Sequence, residues 1–319
     1  MQQTSTLQKA FEINLEESVY GTFAEIGAGQ EVARQFFEAG KASRTVAKTI
    51  SAYDMVFSDS IYGKEPSGRY VCQNRVETML SYEFDLLIER LQKIRGDSTR
   101  FFSFANTVTT GSKTRKIDSH GWMGVRFQLK PNGPINQIVA HIKMKNRSNS
   151  LQREALGIVG VNLIHAAYNH IENPEQFILS LIDNLDLSRI EIDMIDFQGE
   201  DLKHIDNRLM SLKLVANRLT NAALFSPDGK VLHVADVLFK KPLVLLRGSF
   251  SPVTNIHVDM IGSALKEVKK TNKTEPVVFL ELNIHDLIQD GKFNNSNFLE
   301  RVDVLQTLGH PVLISNFFL

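Results

Sequence analysis

The stretch LVLLRGSFSPVTNIHVDM, Leu243 to Met260, holds the residues best spaced for chemistry. An apolar run ends at Gly248, and Pro252, Thr254 and His257 follow before a segment of helical period. At a strand-to-helix turn, a glycine lets backbone N–H groups approach an anion, and the following helix points its positive end at the same place. Thr254 and His257 lie three residues apart, about one helical turn, so a hydroxyl and an imidazole can face one ligand. The chemistry implied is phosphate binding. The plainer alternative is a strand end, a proline-shaped turn and a histidine on a helix face.

Written as Gly248-x-Phe250-x-Pro252-x-Thr254-x-x-His257, the stretch resembles the G-x-F-x-P-x-[H/T]-x-x-H signature of the nucleotidylyltransferase superfamily. It is similar to the form found in nicotinamide/nicotinate mononucleotide adenylyltransferases. That resemblance implies AMP transfer from ATP to a nicotinamide or nicotinate mononucleotide, release of pyrophosphate, bridging Mg²⁺ and a place in NAD biosynthesis. ATP and the mononucleotide would then be the small-molecule ligands. His257 and Thr254 would be the catalytic pair holding the ATP phosphates, with Gly248, Ser249, Phe250 and Pro252 around the nucleotide. Lys269, Lys270 and Lys273 are candidate contacts for the leaving pyrophosphate, although no motif places them. The superfamily's second signature, I-S-x-T-x-x-[K/R], is absent: LISNFF begins in the same way and then departs from it. The whole chain, through TFAEIGAGQEVARQFF and RLMSLKLVANRLTNAALF, also resembles a longer bacterial family. Its members carry both the adenylyltransferase name and the name TonB-dependent receptor, and no export signal or barrel-length strand series here fits the latter. A non-catalytic protein binding a nucleotide or a protein partner is the alternative function.

Other residue clusters offer weaker chemistry. Gly27 and Gly29 in EIGAGQEVAR precede a helix and suggest an anion site or a close-packed helix start, with no strand read as leading into them. Glu191 and Asp193 share one face of RIEIDMID with Asp196 nearby, fitting a divalent metal or a solvated strand face, and the latter is favoured. His165 and His170, five apart, do not share a helix face as metal ligands would, so no metal ligand is assigned. Cys72 reads as a buried thiol, KEVKKTNK as a solvated helix end, and Ser249 lacks the surroundings of a nucleophile elbow.

Positioning these residues falls to an α/β chain: an α+β N-terminal region, then a Rossmann-like parallel-sheet region. Residues 1–150 read as the first, 151–235 as a mainly helical connection, and 236–319 as the region carrying the motif. Residues 8–57 read as mainly helical, with Val32, Phe36 and Phe37 on one face and SRTVAKTISAYDMVF continuing the pattern, with Ser43 as its candidate N-cap. PNGPIN marks a hairpin. Strand 242–247 should run parallel to strand 276–282. The closing run HPVLISNFFL reads as a buried strand, which suggests a truncated domain.

Composition narrows the classes. Lys plus Arg and Asp plus Glu both number 36, so no basic excess argues for dedicated nucleic-acid binding. One cysteine excludes an intramolecular disulfide. No secretory signal and no run of about 18 apolar residues is visible, so the reading is a cytoplasmic protein without membrane partners, with oligomers open.

Overall fold

The computed structural model describes residues 4–111, 119–289 and 292–317. The chain divides into two compact units, Met1–Ile205 and Asp206–Leu319. Both are α/β.

The first unit runs α1 (Thr6–Leu15), β1 (Val19–Ile26), α2 (Glu31–Ala39), β2 (Val46–Ile50), α3 (Met55–Tyr62), α4 (Gln73–Arg95), β3 (Arg100–Thr109), β4 (His120–Gln128), β5 (Ile135–Met144), α5 (Asn149–Asn169), α6 (Pro174–Ser180) and β6 (Ile190–Gly199). Its sheet has the order β2-β1-β3-β4-β5-β6, with β1 parallel to β2 and β3 and the rest antiparallel. β1 therefore lies between its successor β2 and β3, and the chain reverses direction across it. Such a reversal opens a crevice beyond the carboxyl ends of parallel strands, where ligands of open α/β sheets collect.

Helices cover both faces. Ser103 Oγ donates to Leu80 O of α4 at 2.8 Å, whereas neighbouring Phe104 meets Gly160 of α5 and packs on Phe23, with ring centroids 6.0 Å apart. Successive strand residues face opposite sides, so α4 covers one face while α2 and α5 cover the other. Phe23, Phe36, Phe102 and Phe104 fill the core under α2 and α5. Gly157 and Gly160 let α5 approach α2: a Cβ on Gly160 would sit 2.3 Å from Val32.

The expected helix over residues 8–57 is corrected by two strands. β1, VYGTFAEI, is buried on both sides and so shows no alternation. In β2, Val46, Thr49 and Ile50 are β-branched and pair beside β1. Asp54, not Ser43, caps the helix that follows, accepting from Phe57 N at 2.9 Å. Phe36 is buried while Phe37 is exposed. The PNGPIN hairpin does join β4 to β5.

The second unit runs α7 (Asn207–Ala216), β7 (Ala222–Phe225), β8 (Val231–Leu232), α8 (Val234–Val237), β9 (Leu243–Arg247), α9 (Asn255–Thr271), β10 (Val277–Asn283), β11 (Ile288–Gln289), β12 (Lys292–Phe293), α10 (Asn295–Gln306) and β13 (Val312–Ser315). Its main sheet has the order β8-β7-β13-β10-β9. β9, β10 and β13 are parallel, and β7 and β8 antiparallel, so the sheet is mixed. The expected parallel pairing is present, with Leu243 opposite Val277 and Arg247 opposite Glu281. β9 is an edge strand with Leu243 and Leu245 exposed. β13, expected to precede a missing portion, lies inside the sheet between β10 and β7. Phe318 and Leu319 of that run lie outside the described residues. Among the described residues no helix is long and apolar enough to cross a membrane.

Candidate functional site

The motif loop follows β9, as expected, but its polar groups bond to one another and to neighbouring elements of the unit. Gly248 N–H donates to Glu281 O at 3.2 Å, and Arg301 Nη1 reaches Ser249 O at 3.3 Å. Phe250 is buried and stacks 5.1 Å from the His257 ring, and Pro252 follows a cis bond. Thr254 is the N-cap of α9, and its N–H donates to His257 Nδ1 at 3.0 Å. The Thr254 hydroxyl lies 2.9 Å from the same nitrogen. The imidazole thus does what the glutamate of a capping box does. Lys269 and Lys270 sit at the other end of α9, roughly 18 Å from His257 at a helical rise of about 1.5 Å per residue, paired with Glu275 and Glu267. Lys273 lies beyond that end. The structure thus brings Gly248, Ser249, Phe250, Pro252, Thr254 and His257 together and leaves the three lysines apart. Replacing Thr254 with alanine is expected to cost the second unit about 1 kcal/mol, read by urea denaturation. An unchanged midpoint would show that the cap adds nothing.

Strand order also counts against a nucleotide crevice here. From β9 through β10 to β13 the parallel strands advance in one direction, with no reversal beside the motif loop.

The reversal in the first unit carries a better-formed cleft. β1 leads into Gly27-Ala-Gly29 and then α2, correcting the reading that no strand precedes these glycines. Both glycines have positive φ, +102° and +82°. Glu25, fully buried near the end of β1, accepts from Val32 N at 3.2 Å and Ala33 N at 2.9 Å, so it caps α2 from beneath. Asn106 on β3 donates to it at 2.9 Å. Burial lifts the Glu25 carboxyl to about 7, against those three hydrogen bonds.

Above Glu25, the first turns of α2 and α5 border a cleft of about 390 Å³ lined by Glu31, Arg34, Ser150, Arg153 and Glu154. Arg153 Nε donates to Ala28 O at 3.1 Å and to Glu31 at 2.9 Å, tying the glycine turn to α5. Arg34 Nε pairs with Glu31 at 3.1 Å, and both arginines keep about half of their surface in solvent. α5 starts with no side-chain cap and no acid in its first turn. The positive end of its dipole is therefore uncompensated within the helix, next to the cleft. Sequence reasoning missed Arg34, Ser150 and Arg153; the available signal was SNSLQRE, a serine-flanked helix start.

A third cluster spans β4 to β6. His141 Nδ1 lies 2.5 Å from Asp193 Oδ1, and His141 Nε2 lies 3.0 Å from His120 Nδ1. Lys143 pairs with Asp193 at 2.7 Å and with Glu191 at 3.5 Å. A β-bulge makes this possible: Asp193 is the extra residue between the pairs His141–Met194 and Ile142–Ile192. The solvated-face reading is thus corrected, since Asp193 is largely buried and Asp196 is raised by burial. His141 and Asp193 are both metal-ligating types in buried surroundings. His165 and His170 approach to 5.5 Å between rings because His170 lies just past the end of α5, and His165 Nε2 reaches Glu12 at 3.0 Å. Cys72 is half-buried.

No protein-family model and no curated protein matches the chain. Solved structures do. Half of the chain is similar to competence-damage proteins. The competence/damage inducible protein CihA of Agrobacterium tumefaciens is 16% identical, covering 50% of this chain and 94% of its own, with a TM-score of 0.36. The competence or damage-inducible protein of Enterobacter asburiae is 12% identical over 51% and 95%, with a TM-score of 0.37. The CinA superfamily protein of Enterobacter cloacae is 11% identical over 51% and 90%, with a TM-score of 0.39. Likeness at this level carries neither an activity nor residue roles to this chain. It corrects the family resemblance nonetheless: the similarity is to these proteins and not to mononucleotide adenylyltransferases. The AMP transfer and the NAD-biosynthesis assignment fall with that resemblance.

Proposed function

We propose that the Met1–Ile205 unit binds a small molecule through an anionic group, phosphate or carboxylate, in the cleft between the α2 and α5 N-termini. The observation carrying this reading is the convergence of two helix starts, Arg34, Arg153 and Ser150 on one cleft beside the β1–β3 reversal. Guanidinium groups bind planar oxyanions through paired, charge-assisted hydrogen bonds. Glu31 holds Arg153 and, together with Glu38, Arg34, so a ligand meets the remaining guanidinium N–H groups already in place. The volume lies within the range typical of small-molecule sites.

Ser150→Glu tests this without harming the fold. An acid in the first turn of α5 favours the helix by about 0.3–1 kcal/mol while filling the cleft with negative charge. Calorimetry with inorganic phosphate, a mononucleotide and a dicarboxylate should show binding of at least one to the wild type. Binding should weaken at least tenfold in Ser150→Glu and in Arg34→Ala, with thermal unfolding of Ser150→Glu no lower than wild type. Absence of binding by all three probes, or equal binding by the variants, would overturn the reading.

A further inference from the structure

On the other face of the same sheet, a second cavity of about 330 Å³ lies between β2 and the carboxyl-terminal half of α4. Its floor is apolar, formed by Ala47, Leu86, Leu87 and Leu91. Leu87 is buried within the cluster it shares with Phe84 and Phe101, while Leu86 and Leu91 remain half-exposed, so the floor is firm and its rim open.

One end of the groove is strongly polar. Glu83, buried, takes the Tyr62 hydroxyl on Oε1 at 2.8 Å and the Lys48 ammonium on Oε2 at 2.5 Å. Burial and the neighbouring Glu83 push the Tyr62 hydroxyl up, so it stays a donor. Lys48 is 38% exposed. An ammonium carries three donors, and Glu83 takes one, leaving donor capacity toward the groove. Arg90 on the rim is largely exposed and makes a loose 3.7 Å contact with its neighbour Glu89. Lys48 and Arg90 thus stand beside an apolar trough, and the buried Glu83 is already neutralised by its pairing with Lys48.

We propose that this groove binds a medium-chain carboxylic acid, with its carboxylate on Lys48 and Arg90 and its alkyl chain along Ala47, Leu86, Leu87 and Leu91. Charge complementarity selects an anionic head, and the apolar floor an alkyl tail. The site is independent of the α2–α5 cleft and does not share a residue with it.

Calorimetry of the full chain with sodium octanoate, sodium hexanoate and octanol tests each part. A buried methylene is worth about fourfold in affinity, so octanoate should bind roughly tenfold more tightly than hexanoate. Octanol, with the tail but no charge, should bind at least tenfold more weakly than octanoate. Arg90→Glu alters an exposed side chain and should weaken octanoate at least fivefold while leaving octanol unchanged. Leu86→Trp fills the trough and should weaken both. Ser150→Glu should bind octanoate as the wild type does, which separates this groove from the anion cleft. The proposal is overturned by absence of octanoate binding, by hexanoate or octanol matching octanoate, or by wild-type affinity in both groove variants. Loss of octanoate binding in Ser150→Glu would move the site to the cleft and overturn it equally.

Discussion

Replacing Gly27 with alanine is expected to destabilise the Met1–Ile205 unit by roughly 3–5 kcal/mol, a large part of a typical domain's stability. Two independent costs add. The residue has φ +102°, where an L side chain is strained by about 1–3 kcal/mol. A Cβ there would also lie 1.9 Å from Val108 O, which belongs to β3 backbone and cannot move aside cheaply. Overpacking of that kind typically costs about 1–3 kcal/mol more. Gly40 separates the two effects: it has φ +86° and ψ 163°, and a Cβ there would meet nothing within 4 Å, so Gly40→Ala should lose the backbone strain alone, about 1–3 kcal/mol. Trp122, the sole tryptophan, is buried in β4 and reports this unit's urea unfolding by fluorescence. Equal losses in the two variants would show that the close approach to β3 is not what constrains the turn.

Glu25→Gln should change how stability depends on pH. Burial raises the folded-state carboxyl from 4.5 to about 7. Between those values the folded carboxyl keeps a proton that the unfolded one has lost, so the folded state binds more protons and stability falls as pH rises. The deficit is fully present above pH 7 and vanishes below about 4.5. It amounts to roughly 3 kcal/mol from the size of the shift. Glutamine keeps an acceptor for the α2 N–H groups without titrating. The stability difference between wild type and Glu25→Gln should therefore move by roughly 3 kcal/mol between pH 4.5 and 8, against the wild type at the alkaline end. His165 and His170, held low by burial, contribute a slope of opposite sign that cancels in this difference. A difference that stays flat across the window would mean that Glu25 ionises in the folded state as it does in the unfolded chain.

Local signals carried much of the second unit. An apolar run, a glycine and a proline followed by helical period suffice to place β9, its turn and α9, and the parallel partner β10 follows from the alternation of strand and helix. β1 and β2 escaped because both sides of β1 are buried, removing the period-two signal, and because β2 is too short for its β-branched residues to outweigh a helical-looking surround. The candidate cleft was illegible for a different reason. Glu31 and Arg153 are separated by 122 positions, and only the packing of α5 on α2 through Gly157 and Gly160 brings them together. Conversely, Thr254 and His257 advertised a phosphate site by spacing alone, yet the same spacing lets them satisfy each other.

The edge position of β9 has a colloidal consequence. Its outer backbone groups and the exposed Leu243 and Leu245 offer a template on which another strand could add. A protein with net charge zero has no long-range repulsion to keep such edges apart. Such protection is local instead: Lys240 and Lys241 stand exposed at one end of the five-residue strand, while Arg247 at the other is paired with Glu281. Two such edges approaching in parallel bring the lysine pairs together. The two exposed lysines at one end of the strand thus oppose an edge-to-edge pairing that the overall charge balance does not.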